Sequence, residues 1–333
     1  MSPYQSHTHK VSVVMSLYKE PMRWIREAVE SILAQTFRDF EFIIICDNPD
    51  YTEAISYIQG LMAGDPRIRL ICNPTNIGLT KSLNIGIETS CGEYIARMDA
   101  DDIALPERLE RQVAFLDAHP EISICASNAH VIDAGGKVAR RDRYIRKTDP
   151  CELIISNILA HPSVTMRRSL LQYRCSLYNE DYPYSQDYEL WQYMLRKGVR
   201  PYVLKEPLLL YRKSEVQISA KKKTQQVECF KNAHRTLITG WLLDRGIIRE
   251  DDCNDLKKML SCACEAYSHI DLKDKADLAH IIYVLYFSLA TYDWKYAFRY
   301  LADRNMIVFR IRFIFTFRLF VSRKTRRNRT GFN

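Results

Sequence analysis

Gly92-Glu93-Tyr94-Ile95-Ala96-Arg97-Met98-Asp99-Ala100-Asp101-Asp102 is the stretch that decides how the rest of the chain is read. Its first half has the apolar residues of a short strand, opened by the Gly92 turn. Its second half sets three carboxylates within four positions where that strand ends. Acids that close repel one another, so something positive usually holds them. A divalent cation bound through oxygen ligands is the simplest candidate. In an α/β sheet the carboxyl end of a strand is also where ligands bind. The competing reading is a solvated acidic turn before a helix starting near Pro106, and a lone D-x-D does not separate the two.

Working outward, strand and helix patterns alternate with short links. Val11–Leu17 is a buried strand, and Pro21 opens a helix with Ile25, Ala28, Val29, Ile32 and Leu33 at helical spacing. Phe42–Cys46 is a second strand ending at Asp47, and a helix through Ala54–Met62 precedes a third strand, Ile68–Cys72. The turn-rich Asn73–Gly78 loop leads to a helix over Thr80–Glu88. After the central strand come a helix from Pro106 to about His119 and a strand at Ile122–Ala126. This alternation predicts an α/β fold, a mostly parallel sheet covered by helices on both faces. Right-handed crossovers would bring Asp47, Asn76–Gly78 and Asp99–Asp102 to one edge.

Beyond residue 135 the pattern loosens. Gly135-Gly136 suggests a hairpin turn, Arg140–Arg143 a charged exposed strand or loop, and His161-Pro162 an extended segment. Asp187–Gly198 is a helix stopped by its glycine, and Leu208–Arg212 a last strand. Lys221–Lys223 forms a charged linker, and helical periodicity dominates from about 225 to 320. The expected organisation is a tail over 1–9, a catalytic domain over 10–219 and a helical C-terminal region over 220–333.

The 333 residues, 47% hydrophobic and 26% charged, fit a well-cored soluble protein. The net charge of +8 is local: residues 301–333 hold nine Lys/Arg against one acid, while residues 1–300 balance at 39 of each sign. A nucleic-acid role for the main body therefore gains no support from charge. Ten cysteines without a C-x-x-C pair point to a reduced, cytoplasmic setting, with thiols such as Cys46, Cys72 and Cys125 filling apolar runs. The polar first ten residues show no signal peptide. In the tail, Met306–Val321 mixes five phenylalanines with three arginines. It is too short and too charged for a bilayer span, which needs about 20 apolar residues. It fits an amphipathic segment at an anionic membrane surface, with packing against the catalytic domain as the other reading.

With these pieces placed, residues 10–219 resemble the family 2 glycosyltransferases of the GT-A fold. The resemblance rests on Val11–Tyr18, Asp47, Asn76-x-Gly78 with Asn84-x-Gly86, Gly92–Ala96 leading into Met98–Asp102, His161-Pro162-Ser163 and Gln186–Trp191. It implies an inverting transfer of one sugar from a nucleotide-diphosphate donor, UDP-linked, to a glycan or lipid-linked saccharide acceptor. It also implies Asp187 as catalytic base, Asp101 and Asp99 as holders of Mn2+ or Mg2+, and Asp47 as the contact to the nucleotide base. Asn76, Lys81, Arg97 and Ala100 are candidates on the nucleotide-sugar side; His161, Trp191 and Arg212 are candidates on the acceptor side.

The family pattern is departed from at three places. Asp47-Asn48-Pro49-Asp50 stands where relatives carry two acids or Asp-Gly-Ser, Gln186 replaces the acid before the base, and Ser214 stands where a histidine is usual. Arg212 or Lys213 is then a candidate to face the diphosphate. Each site residue also has a plainer reading: Asp102 or Asp187 as helix caps, Asp47 as a turn residue, Lys81 on a solvated face, His161 and Trp191 as packing. Two other functions stay open from sequence, a sugar nucleotidyltransferase and an inactive nucleotide-sugar-binding module.

Overall fold

The computed structural model describes residues 9–140, 153–154, 156–214, 222–290 and Tyr296. The basic aromatic tail over 301–333, the tail over 1–8 and the charged stretch from 141 lie outside the described residues.

Among the described residues nine strands form one sheet. The first four are β1 (Val11–Leu17), β2 (Phe40–Cys46), β3 (Ile68–Cys72) and β4 (Tyr94–Asp99), interleaved with α1 (Met22–Leu33), α2 (Thr52–Met62) and α3 (Leu79–Glu88). They lie in the order β3-β2-β1-β4, all parallel, with Val14 beside both Ile43 and Arg97. Strands buried on both faces read as continuous apolar runs, which is why these were visible as runs. One face packs Val13, Met15, Phe42 and Ile44 against Ile25, Val29 and Ile32 of α1. On the other face α3 comes so close that a Cβ on Gly86 would sit 2.5 Å from Val14 Cγ1 and 2.6 Å from Ile45 Cδ1.

Beyond β4 the sheet is mixed. Its order continues β8-β6-β9-β5, with β5 (Ile103–Ala104), β6 (Ile124–Ile132), β8 (Thr165–Arg167) and β9 (Tyr202–Arg212), and β7 (Val138–Arg140) beside β6. Here β4–β8, β8–β6, β9–β5 and β6–β7 are antiparallel, while β6 and β9 run parallel. The change comes where strand–helix alternation stops. Helix α4 (Arg108–Ala118) precedes β6, but a tight turn joins β6 to β7, with Gly136 at φ 86° and Asp133 Oδ1 accepting from the Gly135 and Lys137 amides. His161–Ser163 is a buried 3-10 turn rather than the extended segment expected, and its Ser163 amide closes on the Ala160 carbonyl at 2.8 Å. Helix α5 (Gln186–Arg196) stops at Gly198, φ 81°.

Three further helices follow: α6 (Lys223–Asp244), α7 (Leu256–Ala266) and α8 (Leu272–Ala290). The chain divides into two compact units, residues 1–150 with 157–234, and residues 151–156 with 235–333. In the second unit Asp255 caps α7 by accepting from the Lys257 and Lys258 amides, and Met259, Leu260, Ala263, Leu278, Ile281 and Ile282 are buried. Among the described residues no helix is long and apolar enough to cross a membrane. Of the cysteines taken as apolar filler, Cys46 and Cys125 are buried and Cys72 is exposed.

Candidate active site

The parallel strands end on one edge, and the polar residues after them meet there. Asp47 follows β2 and is buried. Its Oδ1 accepts from Asn73 Nδ2 at 2.8 Å and the Ile77 amide at 2.9 Å, and its Oδ2 accepts from the Gly78 amide at 2.8 Å. The carboxylate thus shapes the Asn76–Gly78 loop, whose Gly78 needs φ 90° to start α3. Asn76 is exposed and its Oδ1 also accepts from the Gly78 amide. Asn48 Nδ2 donates to the Tyr18 carbonyl, so this residue ties the β2 loop to the end of β1, while Asp50 is exposed. Lys81 is 53% exposed and only loosely paired, its Nζ 3.9 Å from Glu180.

Asp99, Asp101 and Asp102 gather at the end of β4, each offering a carboxylate oxygen within 4.8 Å of the others. Ala100 between them is buried. Asp102 is fully buried: Oδ1 accepts the Arg212 amide at 2.7 Å, and Oδ2 has no hydrogen-bond partner among the described residues. It does not cap α4, whose N-cap is Glu107. Burial, and then the charges of Asp101 and Asp99, hold its carboxyl well above the usual carboxylate range. A buried, unpartnered oxygen on a residue of this cluster fits a divalent cation held by hard oxygen ligands.

Arg97 precedes the cluster on β4, and burial works against its charge while Asp99, Tyr178 and Asp102 favour it. Its Nη1 is ion-paired with Asp99 Oδ1 at 2.5 Å, and its Nε has no hydrogen-bond partner among the described residues. Glu20, after β1, is a site neighbour the sequence did not signal. Burial raises its carboxyl, the Asp99 charge adds to this, and its Oε2 accepts the Tyr18 amide at 2.7 Å.

Asp187 lies in the first turn of α5, one position past its first residue, so it is not the N-cap. Burial raises its carboxyl, against the Tyr188 amide, the Asn157 side chain and the Arg97 charge that favour ionisation. Gln186 contributes no like charge; desolvation alone accounts for the direction. Asn157 Nδ2 donates to Asp187 Oδ2 at 2.7 Å. Sequence gave no hint of this partner, since an asparagine 30 positions away carries no local pattern.

The three acceptor-side candidates are all buried. His161 is buried, its Nε2 2.6 Å from the Tyr178 hydroxyl, and burial with the Arg97 charge holds it well below its usual range, so it is neutral. Trp191 is buried and packs edge-on against His161 at 6.0 Å. Arg212 is also buried, its guanidinium engaged by Glu27 and by the Asp101, Asp133 and Ala134 carbonyls, so it does not face an acceptor or a diphosphate. Asn84 is buried and pins the Tyr178 segment with a pair of bonds, Nδ2 to the Tyr178 carbonyl and the Tyr178 amide to Oδ1.

Comparison with known proteins places the chain in a family. A sequence profile described as glycosyl transferase family 2 matches residues 12–179. An uncharacterised glycosyltransferase of Haemophilus influenzae is 32% identical over 293 residues, covering 85% of this chain and 87% of its own. The amylovoran biosynthesis glycosyltransferase AmsE of Erwinia amylovora is 29% identical, over 56% of this chain and 70% of its own. The structure of S. aureus TarS residues 1–349 in complex with UDP-GlcNAc superposes with a TM-score of 0.57 at 17% identity, covering 83% of this chain and 80% of that one. At that identity the likeness shows the shared GT-A fold alone.

Proposed function

The chain belongs to glycosyl transferase family 2 and is a glycosyltransferase, and from that premise we propose that it transfers one sugar, with inversion, from a nucleotide-diphosphate donor to a saccharide acceptor. The observation that carries this reading is the Asp99–Asp101–Asp102 carboxylate cluster at the end of β4, with Asp187 buried in the first turn of α5.

Asp99 and Asp101, with the free oxygen of Asp102, would hold Mn2+ or Mg2+. Bound there, such an ion supplies positive charge opposite the diphosphate that leaves. Asp187 accepts the proton of the acceptor hydroxyl as that oxygen attacks the anomeric carbon. The bond from that carbon to the diphosphate oxygen breaks with its electron pair, so the nucleoside diphosphate departs and the new bond forms on the opposite face. Asn157, donating to Asp187 Oδ2, holds the carboxylate in place. Asn76, Lys81, Arg97 and Ala100 form the donor side in this reading, with Asp47 shaping the loop that carries Asn76.

A UDP-linked donor is in keeping with the UDP-GlcNAc complex of TarS. A lipid-linked or polysaccharide acceptor is in keeping with AmsE, a glycosyltransferase of amylovoran biosynthesis. Asp187→Asn tests the mechanism: transfer falls by about 10²–10⁴ while donor binding by calorimetry persists. Unchanged turnover would remove Asp187 from the reaction, and an absence of turnover in the parent protein would favour a module that only binds donor. Residues 301–333 add a second proposal, contact with an anionic membrane surface on the cytoplasmic side. Anionic liposomes should sediment the full chain and leave a chain ending at residue 300 in solution; equal sedimentation rejects the contact.

A further inference from the structure

The acidic loop between β4 and β5 is held from outside itself. Arg212, at the end of β9 and 110 positions from Asp102, donates its amide to Asp102 Oδ1 at 2.7 Å and its Nε to the Asp101 carbonyl at 2.7 Å. Backbone pairing of Ile103 with Leu210 and Ala104 with Leu209 already joins β5 to β9, so the guanidinium is not needed to close the sheet. Arg212 is 0% exposed, and burying a full charge is unfavourable unless a partner offsets it. That partner is Glu27 on α1, whose Oε2 accepts Nη2 at 2.5 Å.

The rest of the cage orients the same fork. Nη1 donates to the Asp133 and Ala134 carbonyls at 3.2 Å each, and the guanidinium lies 5.1 Å from the Trp24 ring. Trp24 Nε1 in turn donates to Ala134 O at 3.1 Å. The other oxygen of Glu27 accepts Arg23 Nε at 2.8 Å, and Arg23 Nη2 reaches the Gly135 carbonyl. A planar guanidinium presents its donors in a rigid fork. Fixing Nη2 on Glu27 therefore fixes where Nε points, and with it the Asp101 carbonyl.

We propose that Glu27 is a positioning residue for the cation site: through Arg212 it sets the Asp101–Asp102 loop, although it lies outside the carboxylate cluster. This rests on the reading that Asp99, Asp101 and Asp102 hold a divalent cation. Two effects act in one direction. Without the Glu27 charge, the buried Arg212 guanidinium behind the acidic loop is uncompensated, and without the Glu27 oxygen its fork is free to turn.

The test is titration of the full chain with Mn2+, with and without UDP, followed by the magnetic resonance signal of free Mn2+, alongside thermal melts of the ion-free proteins. Glu27→Gln should bind Mn2+ about tenfold more weakly, and Glu27→Asp, which keeps the charge but shortens the reach, should fall between. Glu30→Gln, on the exposed face of the same helix, should bind as the parent does. A Glu27→Gln protein that melts lower yet binds Mn2+ as the parent does would reduce Glu27 to a fold contact and overturn the inference. A parent protein that binds no Mn2+ in either condition would overturn the cation reading, and this inference with it. Should Glu27→Gln fail to fold, Trp24→Phe and Glu27→Asp decide in its place: weaker Mn2+ binding supports the inference, and unchanged binding overturns it.

Discussion

The parallel half of the sheet and the region at and beyond the end of β4 treat buried charge in opposite ways. In the parallel half, acids are consumed by the fold. Burial alone would raise the Glu41 carboxyl, but the Cys91 thiol, the Ser12 hydroxyl, the Cys91 amide and Arg69 bring it down to about 2. Asp47 is used in the same way by Asn73, Ile77 and Gly78. At the end of β4 and beyond it, some capacity is left unmet: Arg97 Nε and Asp102 Oδ2 have no hydrogen-bond partner among the described residues, and Asp187 is desolvated. Unmet buried polar groups lower stability, and these two atoms lie at the carboxylate cluster where a ligand would meet them.

The largest effect that sharpens this contrast belongs to Asp187, whose conversion to asparagine should remove transfer without weakening the fold. The sign follows from its raised carboxyl. Between the ordinary and the raised value the folded state binds more protons than the unfolded one, so stability falls as pH rises through that window. At neutral pH the amide relieves this cost, and the melting temperature of Asp187→Asn should equal or exceed the parent's. The rate should fall as pH is lowered through the raised value, because the base must be ionised, and an acid limb that lies at the ordinary carboxylate range would contradict the burial argument.

Next in size is a backbone clash in the parallel half. A Cβ at Gly92 would sit 2.5 Å from the Ser12 amide nitrogen and 2.6 Å from the Val11 carbonyl carbon, atoms that cannot swing away. Gly92→Ala should cost about 3 kcal/mol in urea unfolding, the upper part of the range for overpacking. Gly60 in α2 has nothing within 4 Å of its Cβ position, and Gly60→Ala should instead stabilise by about 0.5–1 kcal/mol. Equal effects at the two glycines would show that the β1–β4 approach is less tight than drawn.

Asp47→Asn is smaller. One oxygen can still accept from Asn73 and Ile77, but the amide nitrogen would face the Gly78 N–H. The loss should be about 1–2 kcal/mol, because Gly78 N also has Asn76 Oδ1. Loop release should weaken donor binding as well, and a variant with unchanged melting and unchanged donor affinity would break the claim that this acid shapes the loop.

Much was legible in the residues themselves. The runs Val11–Leu17, Phe42–Cys46 and Ile68–Cys72, the turn-rich Asn73–Gly78 loop and the Gly198 stop are local patterns, each decided by what a few neighbouring residues can adopt. The acids after β2 and β4 were found the same way, because strand ends are set by local chemistry. The short strand β5, the long reach of β6 and β9 and the mixed pairing beyond β4 had no such signal, since their partners arrive from far along the chain.

By itself, then, the sequence determined where chain segments become strands and helices and which carboxylates stand at their ends. Only the tertiary structure decided what those groups do. It spent Asp47 on a loop, buried His161 and Trp191, brought Asn157 to Asp187, and set Arg212 against Glu27, 185 positions away, behind the acidic loop. The reason is physical: a hydrogen-bond partner or a shifted pKa is a property of what surrounds a group after folding, and residues so far apart carry no spacing from which their meeting could be read.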